Sequence, residues 1–421
     1  MIADDLTGAN DTGLQFARYG LKTSVVMRQG SSLPGSAERA VDVVNTDSRS
    51  FTAYQAYESM KATLSGLEFS NYDLIYKKID STLRGNIGSE INALMDFHPF
   101  DVAVVAPAYP AHGRLTIGGF HLVHNDLLED SEAARDPRAP IRESLIPSLL
   151  AEQTKRRIGH IAVNTIRSKA LSKEIESLLQ TKHEILVFDS ATSGDLETIA
   201  NALLPYQKQV LWVGSAGLAQ AIAKNVMGDI AENVQSEYRP IGPVDPVLIV
   251  AGSVNKVTRA QVENLTETGQ AQVLDVPAHV LIRNDELSPY INEATSILKT
   301  QQNLVITVAQ SQGPDPDVNR EGDTSLRIVS RMGEIACPVI THCPLAGVVL
   351  TGGDTALEIC RRLGITGLQI VGEVEEGIPI TLAFGNGLYQ GPIVTKAGGF
   401  GQVDSLLRAI QQLKKEEEPD A

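Results

Sequence analysis

The chain has 421 residues, of which 43% are hydrophobic, and its 36 Lys and Arg against 51 Asp and Glu give a formal charge of −15. This acidic balance argues against a broad nucleic-acid surface, which Lys and Arg would have to form, and no run approaches the ~18 apolar residues of a membrane span or resembles a secretion leader. Because the three cysteines form no C-x-x-C motif, we expect a cytoplasmic globular protein that binds neither nucleic acid nor a membrane.

Three carboxylates open the sequence, those of Asp4, Asp5 and Asp11. Only two apolar residues precede them, so the first strand is expected to be very short. Like charges this close repel each other unless a cation offsets them. Either the carboxylates gather at a binding site, or Asp11 simply caps the helix that the following TGLQFARYG stretch predicts.

Short apolar runs follow, and amphipathic helical patterns separate them. Runs that are apolar on both faces are typical of strands in a parallel sheet that helices cover on both sides. The Pro- and Gly-containing stretch 227–246 predicts a linker, after which the strand–helix rhythm restarts. We therefore predict an α/β fold with two domains, 1–235 and 240–421, each a mainly parallel sheet with flanking helices. The predicted strands of the first domain are 41–45, 73–79, 102–107, 185–189 and 210–214.

Polar side chains follow two of these predicted strands. The stretch YKKIDSTLRGN contains Lys78, Asp80 and Arg84, and Arg49 follows the preceding strand. Because the carboxyl ends of parallel strands meet at one edge of a sheet, we expect these cations to lie near the opening carboxylates and to offset them. Asp5 and Asp11 could hold the hydroxyls of a substrate while Arg and Lys hold its carboxylate, and an Asp can accept a hydroxyl proton. The pattern favours a pocket for a small polyhydroxy acid.

A Pro- and Gly-rich stretch, APAYPAHGRLTIGG at 106–119, follows the next predicted strand. Its composition predicts a loop. This loop would carry Arg114 toward the cleft between the domains.

Three strand–glycine–helix turns lie in the second domain: AGSVNKVTRAQV at 251–262, LTGGDTA at 350–356 and TKAGGFG at 395–401. Glycines let the backbone approach a ligand closely, and the N-terminus of a helix favours phosphate. None of the turns matches the P-loop pattern. The turns predict nucleotide or phosphate binding; alternatively, Asp354 and Thr355 merely cap their helix.

Together, ADDLTGANDTG, NTDSR, YKKIDSTLRGNIG, AGS with TRAQV, LTGGDTA and TKAGGFG make the chain resemble the four-carbon acid sugar kinase family over essentially its whole length. The resemblance implies a sugar-acid domain first, an ATP domain second and an active site in the cleft between them. Within the family, NDTG, KIDSTLRGN and KAGGFG are more similar to the D-threonate kinase branch than to the 3-oxo-tetronate kinase branch.

The resemblance implies ATP-dependent phosphorylation of a terminal hydroxyl of a tetronate such as D-threonate, with Mg²⁺ bridging the ATP phosphates. Asp80 or Asp11 would accept the hydroxyl proton, beside Lys78 as a further catalytic residue, and the sequence does not choose between the two carboxylates. No residue is assigned to the metal, and a homodimer is compatible with the sequence. The implied sugar-acid residues are Asp5, Thr7, Asp11, Arg49, Lys78, Asp80, Ser81, Arg84 and Asn86, and the implied ATP residues are Ser253, Gly352, Gly353, Asp354, Thr355, Lys396, Gly398 and Gly399.

Other functions stay open at this point. D-erythronate and 3-oxo-tetronate are alternative substrates. A nucleotide-dependent ligase or synthase would use the same two domains to condense two substrates, whereas a non-catalytic sugar-acid sensor would bind nucleotide without turnover. The third glycine turn, with Lys396, favours an enzyme over a sensor.

Overall fold

The chain was analysed as a computed structural model. It describes residues 1–27, 40–136, 139–228, 238, 245–252, 255–283, 285–309 and 322–414. Two compact units make up the chain: Met1–Leu21 with Arg28–Asn233, and Lys22–Met27 with Val234–Ala421. The short segment Lys22–Met27 thus belongs to the second unit, although the sequence analysis had not separated it from 1–235.

Strands and helices alternate along the described chain, as the apolar runs predict. The strands are β1 (Ile2–Ala3), β2 (Lys22–Val26), β3 (Ala40–Asn45), β4 (Ile75–Lys78), β5 (Val102–Ala106), β6 (Arg114–Ile117), β7 (Phe120–Val123), β8 (Asp126–Leu127), β9 (Ile158–Ile161), β10 (Ile185–Phe188), β11 (Val210–Gly214), β12 (Val247–Ala251), β13 (Gln272–Pro277), β14 (Leu304–Ala309), β15 (Gly347–Thr351), β16 (Gly367–Glu375), β17 (Ile378–Phe384) and β18 (Pro392–Lys396). The α-helices are α1 (Leu6–Ala17), α2 (Ala53–Leu64), α3 (Ile87–Phe97), α4 (Ile146–Gln153), α5 (Val163–Ile166), α6 (Leu171–Gln180), α7 (Ser193–Leu203), α8 (Ala216–Met227), α9 (Lys256–Glu267), α10 (Ala278–Arg283), α11 (Ser288–Lys299), α12 (Gly322–His342), α13 (Gly353–Arg362) and α14 (Ser405–Lys414). No described helix is both long enough and apolar enough to cross a membrane.

In the first unit, the described strands form a parallel sheet in the order β3–β1–β4–β11–β5–β10–β9. From β1 the chain moves outward to β3 and then returns to β4 on the other side of β1. This reversal makes the carboxyl ends of β1, β3 and β4 the switch point of the sheet, where open α/β sheets bind their ligands.

The core of the first unit lies on both faces of this sheet. Because side chains alternate along a strand, Val104 and Trp212 pack with α7 and α8 on one face, while Val105 and Val213 pack with α2 and α3 on the other. With both faces covered, the polar side chains collect at the strand ends.

A small antiparallel sheet, β6–β7–β8, follows β5 in the same unit. It occupies part of the stretch 106–119, for which the sequence predicted a loop. The prediction was wrong at Arg114–Ile117, because glycines and prolines here flank a short strand whose pairing partner, Phe120–Val123, lies just beyond the stretch.

In the second unit, the described strands form a mixed sheet in the order β13–β14–β12–β15–β18–β17–β16–β2. The first five strands are parallel, and β17, β16 and β2 extend the sheet in antiparallel fashion. The switch point lies between β12 and β15, so the glycine turns after these two strands and after the neighbouring β18 share one edge.

Candidate functional site

Seven charged side chains lie together at the carboxyl ends of β1, β3 and β4 in the first unit; we call them the charged cluster. The register of the sheet explains the grouping, because Ala3 lies between Asn45 of β3 and Lys78 of β4, so that the loops after the three strands start at the same level. The charged cluster consists of Asp4, Asp5, Arg49, Lys78, Asp80, Arg84 and Asp136.

Arg49 is the centre of this cluster. Its Nε and Nη2 donate to the two carboxylate oxygens of Asp4 at 2.9 Å each, and Nη2 also donates to Asp5 at 2.5 Å. Its Nη1 lies 3.9 Å from an oxygen of Asp80. Burial lowers the pKa of Arg49, but Asp4 and Asp5 outweigh this effect and raise the pKa above its ordinary value. Arg49 is therefore a permanent cation that holds three carboxylates in place.

Lys78 and Asp5 meet at the start of α1. The Lys78 Nζ donates to Asp5 Oδ1 at 3.2 Å, and a Cβ on Gly8 would lie only 1.8 Å from this Nζ. Glycine at position 8 thus makes room for the ammonium. Burial raises the pKa of Asp5, but Arg49 and Lys78 outweigh it and hold the pKa below its usual range.

Asp5 is the residue that caps α1. Its side chain accepts hydrogen bonds from the Gly8 amide at 3.2 Å and from the Thr7 hydroxyl at 2.8 Å. Asp11 lies one turn further along the helix and is buried. The alternative that Asp11 caps the helix is therefore wrong, because the helix begins earlier than the sequence pattern predicted.

Asp80 is held by a second arginine. Arg84 donates to its two oxygens at 2.5 and 3.2 Å, and the Thr82 hydroxyl donates at 2.5 Å. The remaining Nη1 of Arg84 donates to Asp136 at 2.8 Å. Burial raises the pKa of Asp80, but Arg84 and Arg49 outweigh it and keep the pKa well below its usual range. Asp80 is therefore an ionised acceptor with a fixed orientation.

Two other predicted residues join the loops around the cluster. The Asn86 amide donates to the carbonyls of Phe51 at 2.8 Å and Ser48 at 3.3 Å, and so connects the loop after β3 to the start of α3. The Ser81 carbonyl lies 2.8 Å from Nε2 of His121 on β7. These contacts fix the backbone that carries Arg49 and Asp80.

Lys77 forms an ion pair that the sequence analysis missed. It points to the face of the sheet opposite to Lys78, is fully buried, and lies 2.8 Å from Glu90 of α3. Burial raises the pKa of Glu90, an effect that Lys77 only partly offsets. Strand alternation could have shown that only one lysine of the KK pair reaches the strand-end site.

In the second unit, the turn after β15 places glycine at the start of a helix. Gly352 has φ 98° and occupies the N-cap position of α13, so Asp354 and Thr355 lie inside the first turn instead of at the cap. The Gly352 amide donates to the Lys396 carbonyl at 2.9 Å, which joins this turn to the end of β18. A Cβ on Gly252 would lie 2.1 Å from the Thr355 hydroxyl, so the turn after β12 also packs here.

Lys396 holds the third glycine turn together. Its Nζ donates to the carbonyls of Ala397 at 3.0 Å, Phe400 at 3.1 Å and Gly398 at 3.3 Å, and to the Thr258 hydroxyl at 3.2 Å. Burial lowers its pKa to about 8. The sequence analysis assigned Lys396 to ATP binding. In the structure, its ammonium instead contacts backbone carbonyl oxygens of the turn that also contains Gly399.

Helix α9 reinforces the same turn, which the sequence did not predict. Thr258 donates to the Gly398 carbonyl at 2.8 Å, and the Gln261 amide donates to the carbonyls of Phe400 at 3.1 Å and Gln402 at 2.7 Å. Thr258 also lines a groove of about 600 Å³ beside Asp275 of β13 and other residues of β13 and β14. The predicted ATP residue Ser253 lies outside the described residues.

Comparison with known proteins shows which family the chain belongs to. A family model described as a sugar-binding N-terminal domain matches residues 1–222, and one described as a nucleotide-binding C-terminal domain matches residues 248–406. The chain is 33% identical over 427 residues to the D-threonate kinase of Salmonella typhimurium, with 99% of this chain and 98% of the relative covered. The chain belongs to the four-carbon acid sugar kinase family. The charged cluster of this four-carbon acid sugar kinase therefore lies in its sugar-binding domain, and the glycine turns lie in its nucleotide-binding domain.

Another relative supports the same family, and a solved structure supports the fold. It is 31% identical to the D-erythronate kinase of Heliobacterium modesticaldum over 432 residues, which covers 98% of this chain and 96% of the relative. A crystal structure from Salmonella typhimurium, described as a putative tRNA synthase, has a TM-score of 0.82 at 24% identity and covers 97% of both chains. This structural likeness confirms the predicted mixed α/β fold.

Proposed function

We propose that this kinase transfers the γ-phosphate of ATP to the terminal hydroxyl of a four-carbon sugar acid, with D-threonate as the favoured substrate. The observation that carries the proposal is the charged cluster, which holds the ionised carboxylate of Asp80 at the switch point of the sugar-binding unit. The D-threonate and D-erythronate kinases among the relatives support a tetronate as the acceptor.

In this mechanism Asp80 orients the hydroxyl and accepts its proton. A carboxylate with a low pKa is a weak base, but phosphoryl transfer passes through a loose transition state and depends mainly on positioning and charge neutralisation. Arg49 and Lys78 hold Asp5, whose side chain is partly exposed, so that its oxygens can accept a further hydrogen bond from a hydroxyl of the sugar acid. Asp11 is the second candidate base, and the experiment on Asp80 in the Discussion separates the two.

For the nucleotide, we propose that the phosphates bind the amides at the start of α13 and of the 397–400 turn. A helix N-terminus and a glycine turn both present N–H groups to anions. The groove beside Thr258 would then take the nucleoside, with Asp275 accepting ribose hydroxyls.

Among the described residues, no group of three or more His, Cys, Asp or Glu could hold a metal ion. Mg²⁺ would enter as part of the Mg–ATP substrate, and no residue is assigned to it.

The test is ADP release with Mg–ATP and a panel of D- and L-threonate, D- and L-erythronate and 3-oxo-tetronate, with ³¹P NMR of the product. Turnover of one acid to a terminal phosphate monoester, without turnover of its epimers, would support the proposal and name the substrate. A condensed product would instead identify a ligase. ATP binding by calorimetry without any turnover would indicate a sensor. That the chain forms a homodimer stays a prediction. Light scattering of the same sample would measure the oligomeric state.

A further inference from the structure

The cations of the charged cluster already have anionic partners. Arg49 contacts Asp4 and Asp5, Lys78 contacts Asp5, and Arg84 contacts Asp80 and Asp136. Four carboxylates therefore face three cations, and the cluster as a whole is acidic. An incoming carboxylate would be repelled by this arrangement, so a substrate acid needs a cation elsewhere.

Arg114 is a cation beside this cluster. Its amide donates to the Tyr109 carbonyl at 3.1 Å and its carbonyl accepts from the Tyr109 amide at 2.9 Å, which fixes Arg114 just beyond the carboxyl end of β5. His121, on the strand paired with β6, contacts the Ser81 carbonyl in the loop that carries Asp80. The charges of Asp80 and Arg84 act on the Arg114 guanidinium, so the two regions share one electrostatic environment.

The Arg114 guanidinium is poorly satisfied by its own chain. Its Nη1 donates to the His112 carbonyl, whereas its Nε is buried and has no hydrogen-bond partner among the described residues. Within that part of the chain, no carboxylate lies within 4.0 Å of it. Burial lowers the pKa of Arg114, but a guanidinium stays charged in proteins. A partly buried cation without an anionic partner is unfavourable, and an anionic ligand would relieve this cost.

We propose that Arg114 binds the carboxylate of the four-carbon acid and makes the enzyme prefer acids to neutral sugars. The inference rests on the proposed function and adds a specificity residue to it. The planar guanidinium matches a carboxylate in two parallel hydrogen bonds, which a lysine cannot reproduce. Arg114 holds the acid end of the substrate, while the charged cluster positions the hydroxyl end.

The experiment compares each acid with its primary amide, which has the same shape but no charge. In the wild type, kcat/KM is measured for D-threonate and D-threonamide, and for whichever other acid the panel identifies. Arg114→Met should lower kcat/KM for the acid by about 30-fold or more, because one partner of a desolvated charge pair is removed. The value for the amide should change by less than about threefold, since the amide makes no ion pair. Arg114→Lys should fall between the wild type and Arg114→Met.

Arg157→Met is the matched control, because Arg157 also donates to a backbone carbonyl, that of Thr181, but precedes β9 at the amino edge of the same sheet. It should leave the acid-to-amide ratio unchanged. Equal losses on acid and amide in Arg114→Met, or no loss on either, would overturn the inference. Circular dichroism verifies folding, and Arg114→Lys supplies the ratio if Arg114→Met does not fold.

The failure of the proposed function is a separate result. If the wild type phosphorylates no acid, calorimetric binding of the acids to wild type, Arg114→Met and Arg157→Met decides the role of Arg114. Binding lost only in Arg114→Met supports it. Equal binding in all three proteins, or no binding to the wild type, overturns it.

Discussion

The two units hold their buried cations in opposite ways. In the sugar-binding unit, Arg49 and Lys78 face side-chain carboxylates, whereas in the nucleotide-binding unit Lys396 faces backbone carbonyls. Carboxylates on separate loops can be arranged to fit the hydroxyls of one stereoisomer. A backbone turn fits a phosphate chain that all nucleotides share. If the proposed function holds, we expect substrate choice to depend on side chains and nucleotide binding to depend on the shape of the backbone.

A glycine makes room for a polar side chain in each of the two units. A Cβ at Gly8 would lie 1.8 Å from the Lys78 ammonium, and a Cβ at Gly252 would lie 2.1 Å from the Thr355 hydroxyl. Gly8 lies in the first turn of α1, and Gly252 directly follows β12. Both positions make room for a polar side chain.

The largest expected effect is on turnover in the sugar-binding unit. Asp80→Ala should lower kcat by about 10²–10⁴-fold, as expected for loss of a positioned proton acceptor, and should leave the Kd of ATP nearly unchanged. Asp96→Ala is the control, because Asp96 of α3 also pairs with an arginine, Arg156, but lies outside the charged cluster. Steady-state kinetics and ATP calorimetry measure both effects. Unchanged turnover in Asp80→Ala would remove it from the mechanism and leave Asp11.

The buried pair Lys77–Glu90 tests whether a buried carboxylate in the first unit needs its cation. Lys77→Met should lower the free energy of unfolding by about 3–5 kcal/mol, because Glu90 is then left as an uncompensated buried charge. The double variant Lys77→Met/Glu90→Leu should recover most of the loss. Urea unfolding followed by fluorescence of Trp212, the only tryptophan and a buried residue of β11, reports on this unit. A single variant as stable as the wild type would contradict the expectation.

In the nucleotide-binding unit, Lys396→Met should raise KM for ATP by about tenfold, because the charged hydrogen bonds that shape the turn are lost. KM for the acid should not change. Lys299→Met, an exposed lysine at the end of α11, is the control. A change in KM for the acid alone would break the proposed division between the units.

The pH dependence of Lys396 has opposite signs for activity and stability. Burial lowers its pKa from 10.5 to about 8, so the ammonium is lost as pH rises through 8 and KM for ATP should rise in the wild type but not in Lys396→Met. Between pH 8 and 10.5 the unfolded state binds more protons at this residue, so its contribution to the unfolding free energy increases with pH in that window. Kinetics and urea unfolding at pH 7 and 9 measure the two trends. A KM for ATP that does not rise with pH, or a contribution to the unfolding free energy that decreases with pH, would contradict this account.

The smallest effect is expected from Gly8→Ala. The new Cβ would displace the ends of two side chains, the Lys78 ammonium and the Asp5 carboxylate. Because alanine favours a helix more than glycine does, the free energy of unfolding should change by less than about 1 kcal/mol, while KM for the acid should rise several-fold. Gly66→Ala is the control, since its nearest atom outside its own neighbours is the Thr63 carbonyl at 3.8 Å. A large loss of stability with an unchanged KM would show that position 8 serves packing instead.

Much of the charged cluster could be predicted from the sequence. The apolar runs gave the strands to within one or two residues at β3, β4, β5, β10 and β11. Once the strands are parallel, their carboxyl ends share an edge, and Arg49, Lys78 and Asp80 must come together there. Local pattern and topology were sufficient for this step.

The remaining details depend on contacts that are distant in sequence. The capping of α1 by Asp5 instead of Asp11 depends on where the helix begins, which a very short first strand leaves undetermined. The direction of the Lys396 ammonium depends on Thr258, which is over a hundred residues away. The strand at Arg114 was missed because a four-residue strand has too short a pattern to recognise without its partner.

The second unit is not continuous in sequence, because strand β2 lies far from the rest of this unit along the chain. Residues Lys22–Met27 lie within the part that the N-terminal family model matches, yet they belong to the second unit, where Ser24, Val25 and Val26 pair with Gln369, Leu368 and Gly367. A recombinant fragment beginning at the linker would lack this strand and expose an open edge of β16, which promotes aggregation. The part of the chain after the linker is therefore not a complete unit for expression or domain exchange. A soluble nucleotide-binding fragment would need the 22–27 strand supplied in cis or as an added peptide.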